Sequence, residues 1–153
     1  PGAWLPDGFD VIAQRGDGLD ERLAAVFAEL DGPLLLVGMD TPQLEVAHLT
    51  DAAARLAEPG VDAVLGHARD GGWWAIGCSD PDPQTFTGVP MSTGETGRRQ
   101  HDRLVELGMT VALLPELRDV DHWADAVDVA AVAPHGRFAR TVAAISAIQE
   151  GVR

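Results

Sequence analysis

Pro33-Leu34-Leu35-Leu36-Val37-Gly38-Met39-Asp40-Thr41-Pro42 carries the strongest signal for the architecture of this chain. A short aliphatic run closed by glycine reads as a buried strand of an α/β sheet. Asp40 then falls at the strand's carboxyl end, where open α/β sheets place their ligands. Thr41 is able to cap, and Pro42 suits the first turn of a following helix. Two readings of Asp40 therefore stand side by side: a ligand-binding acid, or a helix cap.

Upstream, Val11-Ile12-Ala13 is expected to be a short strand, with a polar loop from Gln14 to Gly18. Leu23, Val26, Phe27 and Leu30 recur at helical spacing, and Asp31-Gly32-Pro33 ends that helix. Downstream, an alanine-rich helix is expected over 46–57, a strand over 62–65 and another over 73–78. The stretch 81–97, rich in Pro, Gly, Ser and Thr, has the length of an active-site loop. A helix over 98–107, a strand over 111–114, a loop over 115–121 and a helix over 123–133 follow. Phe138, Val142, Ile145 and Ile148 stripe a last helix. Strands alternating with helices predict a mostly parallel sheet covered on both faces.

One domain is expected for 153 residues, and the 46% hydrophobic content supports a core. No run approaches the roughly 18 apolar residues of a membrane span, and no secretory signal is apparent. The single cysteine, Cys78, excludes a disulfide within this chain and fits a reducing cytoplasm. All 11 basic residues are arginine, which closes Schiff-base and Walker-lysine chemistry within these residues. A net charge of −13 argues against nucleic acid or an anionic membrane as partner. A phosphate-bearing substrate would need a divalent cation or a local arginine to enter a carboxylate-lined site.

Four further stretches carry chemistry. In Asp70-Gly71-Gly72-Trp73-Trp74 the glycines permit close backbone approach to a ligand, or simply a tight turn between strands. Strand alternation sends one indole to the core and the other to the cleft, where it can stack on a flat or sugar-like ligand. Asp119-Val120-Asp121 puts two carboxylates on one side of an extended segment, suited to a hard cation. The competing reading makes Asp121 a helix N-cap and leaves Asp119 solvated. Ser92, Thr93 and Glu95 offer hydroxyls and a carboxylate to a substrate, or ordinary helix-start chemistry. Gln14 and Arg22 flank a glycine loop, and Arg22 is one of few cations available to an anionic group.

The histidines lack the i, i+4 spacing of a zinc helix, and no G-x-S-x-G or G-x-G-x-x-G is present. These absences disfavour zinc hydrolysis, a serine nucleophile elbow and a dinucleotide fold.

Taken in order, Gln14, Leu19-Asp20-Glu21-Arg22-Leu23, Leu36-Val37-Gly38-Met39-Asp40-Thr41-Pro42, Asp62-Ala63-Val64-Leu65-Gly66, Asp70-Gly71-Gly72-Trp73-Trp74 and Arg118-Asp119-Val120-Asp121 resemble one bacterial family. It is a glycosyltransferase-A-like family within the nucleotide-diphospho-sugar transferase superfamily that includes proteins assigned to arsenosugar biosynthesis. More distantly, the chain is similar to nucleotidyltransferases that guanylylate molybdenum cofactor or phospholactate. The resemblance implies a three-layer α/β/α sandwich with a mostly parallel mixed sheet. It implies a nucleotide-sugar donor, an unknown small acceptor, and Mg²⁺ or Mn²⁺ held by Asp40 and Asp121. Asp70 and Glu95 would act catalytically, and Gln14, Arg22, Gly38, Thr41, Gly71, Gly72, Trp73, Ser92 and Thr93 would contact substrate. An NTP in place of the nucleotide-sugar would make the protein a nucleotidyltransferase, and loss of nucleotide binding a noncatalytic remnant of the fold. Family members usually open with a further strand and a nucleotide-binding loop. This chain begins after that point, so its sheet is expected to lack the first strand. Trp73 and Trp74 stand where tyrosines are common, and Asp20 where glycine is.

Overall fold

The computed structural model describes residues 7–151, with side chains to residue 149. In chain order the elements are α1 (Leu19–Glu29), β1 (Leu34–Val37), α2 (Val46–Leu56), β2 (Ala63–Ala68), β3 (Trp73–Cys78), a 3₁₀ turn (Pro83–Phe86), α3 (Thr96–Glu106), β4 (Val111–Leu117), α4 (Trp123–Val132) and α5 (Arg137–Gly151). The four strands form one sheet in the order β1-β3-β2-β4. β2 and β4 are parallel, whereas β3 runs antiparallel between β1 and β2. The carboxyl ends of β1, β2 and β4 therefore share one edge of the sheet, the geometry that gathers a site.

Two apolar layers sandwich the sheet. On one face Phe27 of α1, Phe86 and Leu104 of α3 pack on Leu65 and Ile76. Phe27 and Phe86 meet edge to face, with ring centroids 4.8 Å apart, the arrangement their quadrupoles favour. On the other face Ala52 and Leu56 of α2 pack on Val64, Trp74 and Leu114. Burying each large side chain contributes about 1.5–3 kcal/mol. Cys78 lies inside the first layer, and burial pushes its thiol up to about 11, which makes it inert packing.

Several expectations change. Val11-Ile12-Ala13 forms no strand: Val11 is 62% exposed and finds no neighbour to pair with. β4 continues through Pro115 to Leu117, beyond the expected stop at residue 114. Proline is tolerated there because β4 is an edge strand and needs no donor on its open side. The stripe on α5 is only partly used: Val142 is buried, but Ile148 is 66% exposed.

Strand alternation fails just after the first of the paired tryptophans, where Trp74 and Ala75 share one face. The β2–β3 register shifts between Gly66 and His67, where Ala75 pairs with Gly66 but Trp73 pairs with His67. Trp74 is the extra residue of this β-bulge, and a bulge re-aims the side chains around it. Trp74 thus joins Ala75 in the α2 layer, lying so close over Gly66 that any Cβ there would strike the indole. Its Nε1 donates to the carbonyl of Pro115 at 2.9 Å, anchoring the end of β4. Trp73 packs the opposite way, half-buried against the first layer, 6.4 Å from the Phe86 ring. The two indoles therefore take opposite faces, as alternation predicts, with Trp74 fully buried and Trp73 half-buried.

Candidate functional site

Each acid-bearing stretch leaves the same sheet edge. The Asp40 loop follows β1, Asp70 opens the β2–β3 connection, and Asp119 to Asp121 follow β4. Tertiary contacts bind these segments together. The amide of Val120 donates to the carbonyl of Asp40 at 3.0 Å. Gln43 Nε2 donates to the carbonyl of Arg118, a second bond between the same two segments.

The carboxylates of Asp70, Asp119 and Asp121 converge, each offering an oxygen within 4.8 Å of the others. Burial first, then the charges of Asp70 and Asp121, push the Asp119 carboxyl up to about 6, against a backbone hydrogen bond that lowers it. Like charges this close cannot all ionise without cost, so the group holds a proton into the mildly acidic range, well above where an isolated carboxyl gives it up. Oxygen-only donors at this spacing suit a hard divalent ion such as Mg²⁺ or Mn²⁺.

Neither Asp40 nor Asp121 is a helix cap. α4 is capped by His122, whose amide donates to Asp125 at 3.0 Å. Asp125 is held below the usual carboxylate range, chiefly by that bond and then by Arg118. Asp121 is thereby released to the cluster. α2 starts with Glu45 as its N-cap, five positions beyond Asp40, and the amide of Glu45 donates to His48 at 3.0 Å. Thr41 instead closes a turn, accepting from the Leu44 amide through its carbonyl at 3.0 Å, while its hydroxyl is buried without a partner. The Asp40 carboxylate is not part of the three-acid group. It folds back over Gly38, whose amide continues the β1–β3 ladder by donating to the Trp74 carbonyl at 2.8 Å.

The Asp70 turn is both a strand connection and a carrier of the acid. Asp70 Oδ1 accepts from the Gly72 amide at 2.7 Å. Gly71 has φ +94, and a Cβ on it would lie 2.0 Å from the carbonyl oxygen of Gly94. The Gly97 amide donates back to the Gly71 carbonyl at 2.8 Å. The tight glycine contact therefore presses the turn onto the start of α3 and brings Ser92, Thr93 and Glu95 to the acid end of the site.

Within that loop the threonine hydroxyls bond locally at the entry to α3, whose N-cap is Glu95 without a side-chain cap bond. Thr93 Oγ1 accepts from the Glu95 amide at 3.3 Å, and Thr96 Oγ1 accepts from the Thr93 amide at 3.0 Å. Glu95 is exposed and ion-paired with Arg98 at 3.2 Å. Ser92 has φ +57, the one non-glycine positive value among the described residues; such strain tends to collect at functional loops. Arg22 serves its own loop, donating to the carbonyls of Gly16 and Asp17 at 3.2 and 3.1 Å. Gln14 is exposed in the irregular segment before α1. Asp119, which pairs with Asp121 in the sequence as a candidate for a cation, is not among the metal ligands that the resemblance implies, Asp40 and Asp121, yet it lies in the three-acid group. Its signal was the alternation that places it on the same side as Asp121.

The fold places the chain among known structures. A Desulfovibrio desulfuricans G20 protein described as a "putative nucleotide-diphospho-sugar transferase" superposes with a TM-score of 0.75, at 24% identity over 90% of this chain. The mixed sheet flanked by helices is thus of the kind seen in that structure. The chain spans 62% of that protein's length. No curated protein matches it. No helix among the described residues is long and apolar enough to cross a membrane. Residues 2–93 match a family described as uncharacterized proteins conserved in bacteria, DUF2064, and the chain belongs to that family.

Proposed function

We propose that this chain carries the acidic half of a metal-dependent glycosyltransferase, one that moves a sugar from a nucleotide-diphospho-sugar to a small acceptor. The observation that carries the reading is the convergence of Asp70, Asp119 and Asp121 at the carboxyl edge of the sheet, together with the fold shared with the Desulfovibrio protein. These three carboxylates would hold Mg²⁺ or Mn²⁺. Bound there, the cation would offset the charge that builds on a departing nucleoside diphosphate.

The chain's own residues supply the rest. Asp40, tied by its carbonyl to Val120, stands beside the cluster at the end of β1 and adds negative potential there. The Gly71–Gly97 contact holds the Ser92–Glu95 loop against the acid turn. Among the described residues no arginine pairs with Asp70, Asp119 or Asp121, the nearby Arg69 and Arg118 being engaged with Glu116, Asp125 and Asp128, so a bound cation is what would offset the repulsion among the three acids.

A thermal-shift panel of UDP- and GDP-sugars and of NTPs, with and without Mn²⁺, tests the assignment. Mn²⁺-dependent stabilisation by nucleotide-sugars, abolished in Asp119→Asn, is the expected result. Stabilisation by NTPs alone would make the protein a nucleotidyltransferase. A folded chain that responds to no Mn²⁺–nucleotide combination would be a noncatalytic member of the fold.

A further inference from the structure

A cavity of about 410 Å³ opens beside the same strand ends, between β4 and α4, walled by Gln43, Arg69, Glu116, Arg118, Asp128 and Val132 among others. None of the three clustered carboxylates lines it. Its volume falls in the roughly 300–1,000 Å³ range of small-molecule sites. Arg69 and Arg118 immediately precede Asp70 and Asp119 in the chain. Beyond β4 the chain carries Arg118 and Asp119 in succession, and successive residues of an extended segment point to opposite sides, so the acid joins the cluster while the arginine lines this cavity.

The charges in the wall are already matched. Arg118 Nη1 pairs with Asp125 at 3.0 Å and Asp128 at 2.9 Å, and Arg69 pairs with Glu116 at 3.4 Å. Two guanidinium groups thus face three carboxylates, which leaves no surplus positive charge for a phosphate. An ammonium ligand would have to compete with the guanidinium groups for the same oxygens. What the wall has in excess is hydrogen-bond acceptors. Gln43 Nε2 is spent on the Arg118 carbonyl, and its Oε1 is buried with no donor at all. A buried acceptor without a donor is unfavourable until one reaches it, and the broad terminal torsion of glutamine allows the amide to turn toward one. Leu117 and Val129 add an apolar surface.

We propose that this cavity binds an uncharged, hydroxyl-rich small molecule, a free sugar or polyol. Its hydroxyls donate to Glu116, Asp128 and Gln43 Oε1, and its C–H face lies on the apolar wall. Reading the occupant as the sugar acceptor rests on the transferase assignment above, because only one peptide unit separates the cavity residues from the carboxylates. The binding itself does not rest on it.

The test is a titration of the full chain with myo-inositol and with glucose, followed by NMR on the Gln43 side-chain amide and the Arg118 Nε–H. Putrescine and glycerol phosphate serve as charged controls, and Mn²⁺ is titrated in parallel. Val132 is 75% exposed on the last turn of α4, so Val132→Trp fills the cavity from outside the core. Glu116→Gln, at a mostly exposed position, is the second variant. Saturable shifts with a Kd near or below about 10 mM are expected, weakened at least about tenfold by Val132→Trp and severalfold by Glu116→Gln, with Mn²⁺ binding unchanged. No saturable shift with either polyol, equal binding to both variants, or tighter binding of a charged control would overturn the proposal. Loss of Mn²⁺ binding with polyol binding intact would sink the transferase reading and leave this one standing.

Discussion

The amide of Val120 donates to the carbonyl of Asp40 at 3.0 Å, which joins the end of β1 to the carboxylate segment after β4. β1 and β4 are the two outer strands of the sheet, with β3 and β2 between them. The bond therefore closes the acidic site over the top of the sheet. It uses Asp40's backbone and leaves its side chain free, which separates Asp40 from the three-acid group in a way that can be measured.

Asp119→Asn should abolish detectable Mn²⁺ binding, because the cluster loses its central charge. Asp40→Asn should leave the affinity for Mn²⁺ alone within about threefold of the parent, since its carboxylate lies outside the group. Isothermal titration with Mn²⁺ checks both. Equal loss in the two variants would mean that Asp40 swings in as a direct ligand.

Proton linkage gives a second prediction. The folded chain holds the Asp119 proton to about 6, against 3.8 for an unperturbed carboxyl. Between those values the folded state binds more proton than the unfolded one, so this group's contribution to stability falls as pH rises and is fully lost above about 6. Mn²⁺ competes with that proton, so its affinity should rise over the same interval and then level off. Melting curves of the parent and Asp119→Asn across it, each with and without Mn²⁺, isolate the effect. A parent that gains stability relative to Asp119→Asn as pH rises without metal would contradict the sign.

Gly71→Ala should destabilise the chain by at least about 2 kcal/mol, because φ +94 strains any Cβ and the Gly94 carbonyl occupies its place. Urea denaturation measures this directly. Gly88→Ala provides the control, as it also has positive φ (+76) but open space around it. A cost no larger at Gly71 than at Gly88 would show that the turn does not press on the start of α3.

Trp74→Phe should cost about 2–4 kcal/mol, through the lost packing over Gly66 and an unmet Pro115 carbonyl. Because Pro115 lies just before the acids of β4's end, Mn²⁺ affinity should fall as well. Trp73→Phe should leave Mn²⁺ affinity unchanged, since Trp73 Nε1 has no partner to lose. Denaturation and Mn²⁺ titration of the two variants together distinguish anchoring from bulk packing.

The sequence by itself determined the elements whose signals are local. Leu34–Val37 is an aliphatic strand with Gly38 behind it, and the helical spacing through Phe27 comes from residues a few positions apart, so short-range patterning was enough to find both. That the strand is only half-buried, with Val37 exposed, follows from its place at the sheet edge, which local pattern does not reveal. The same locality explains the failures. Val11 to Ala13 have strand-like residues, but a strand needs a partner and none adjoins them. The bulge at Trp74 depends on how β3 meets β2, a relation between chains of residues that no single-strand alternation can express. In the site, residue types and positions were legible, down to the acids at the strand ends. Which acids meet was not. Asp70 and Asp119 are 49 positions apart, and they converge only because β2 and β4 lie side by side in parallel, with their carboxyl ends at one edge. Capping settled the rest: His122 with Asp125, and Glu45 with His48, took the helix ends that Asp121 and Asp40 were candidates for. Side-chain competition for a helix terminus is decided by where the helix starts in three dimensions, and that lay with the tertiary structure.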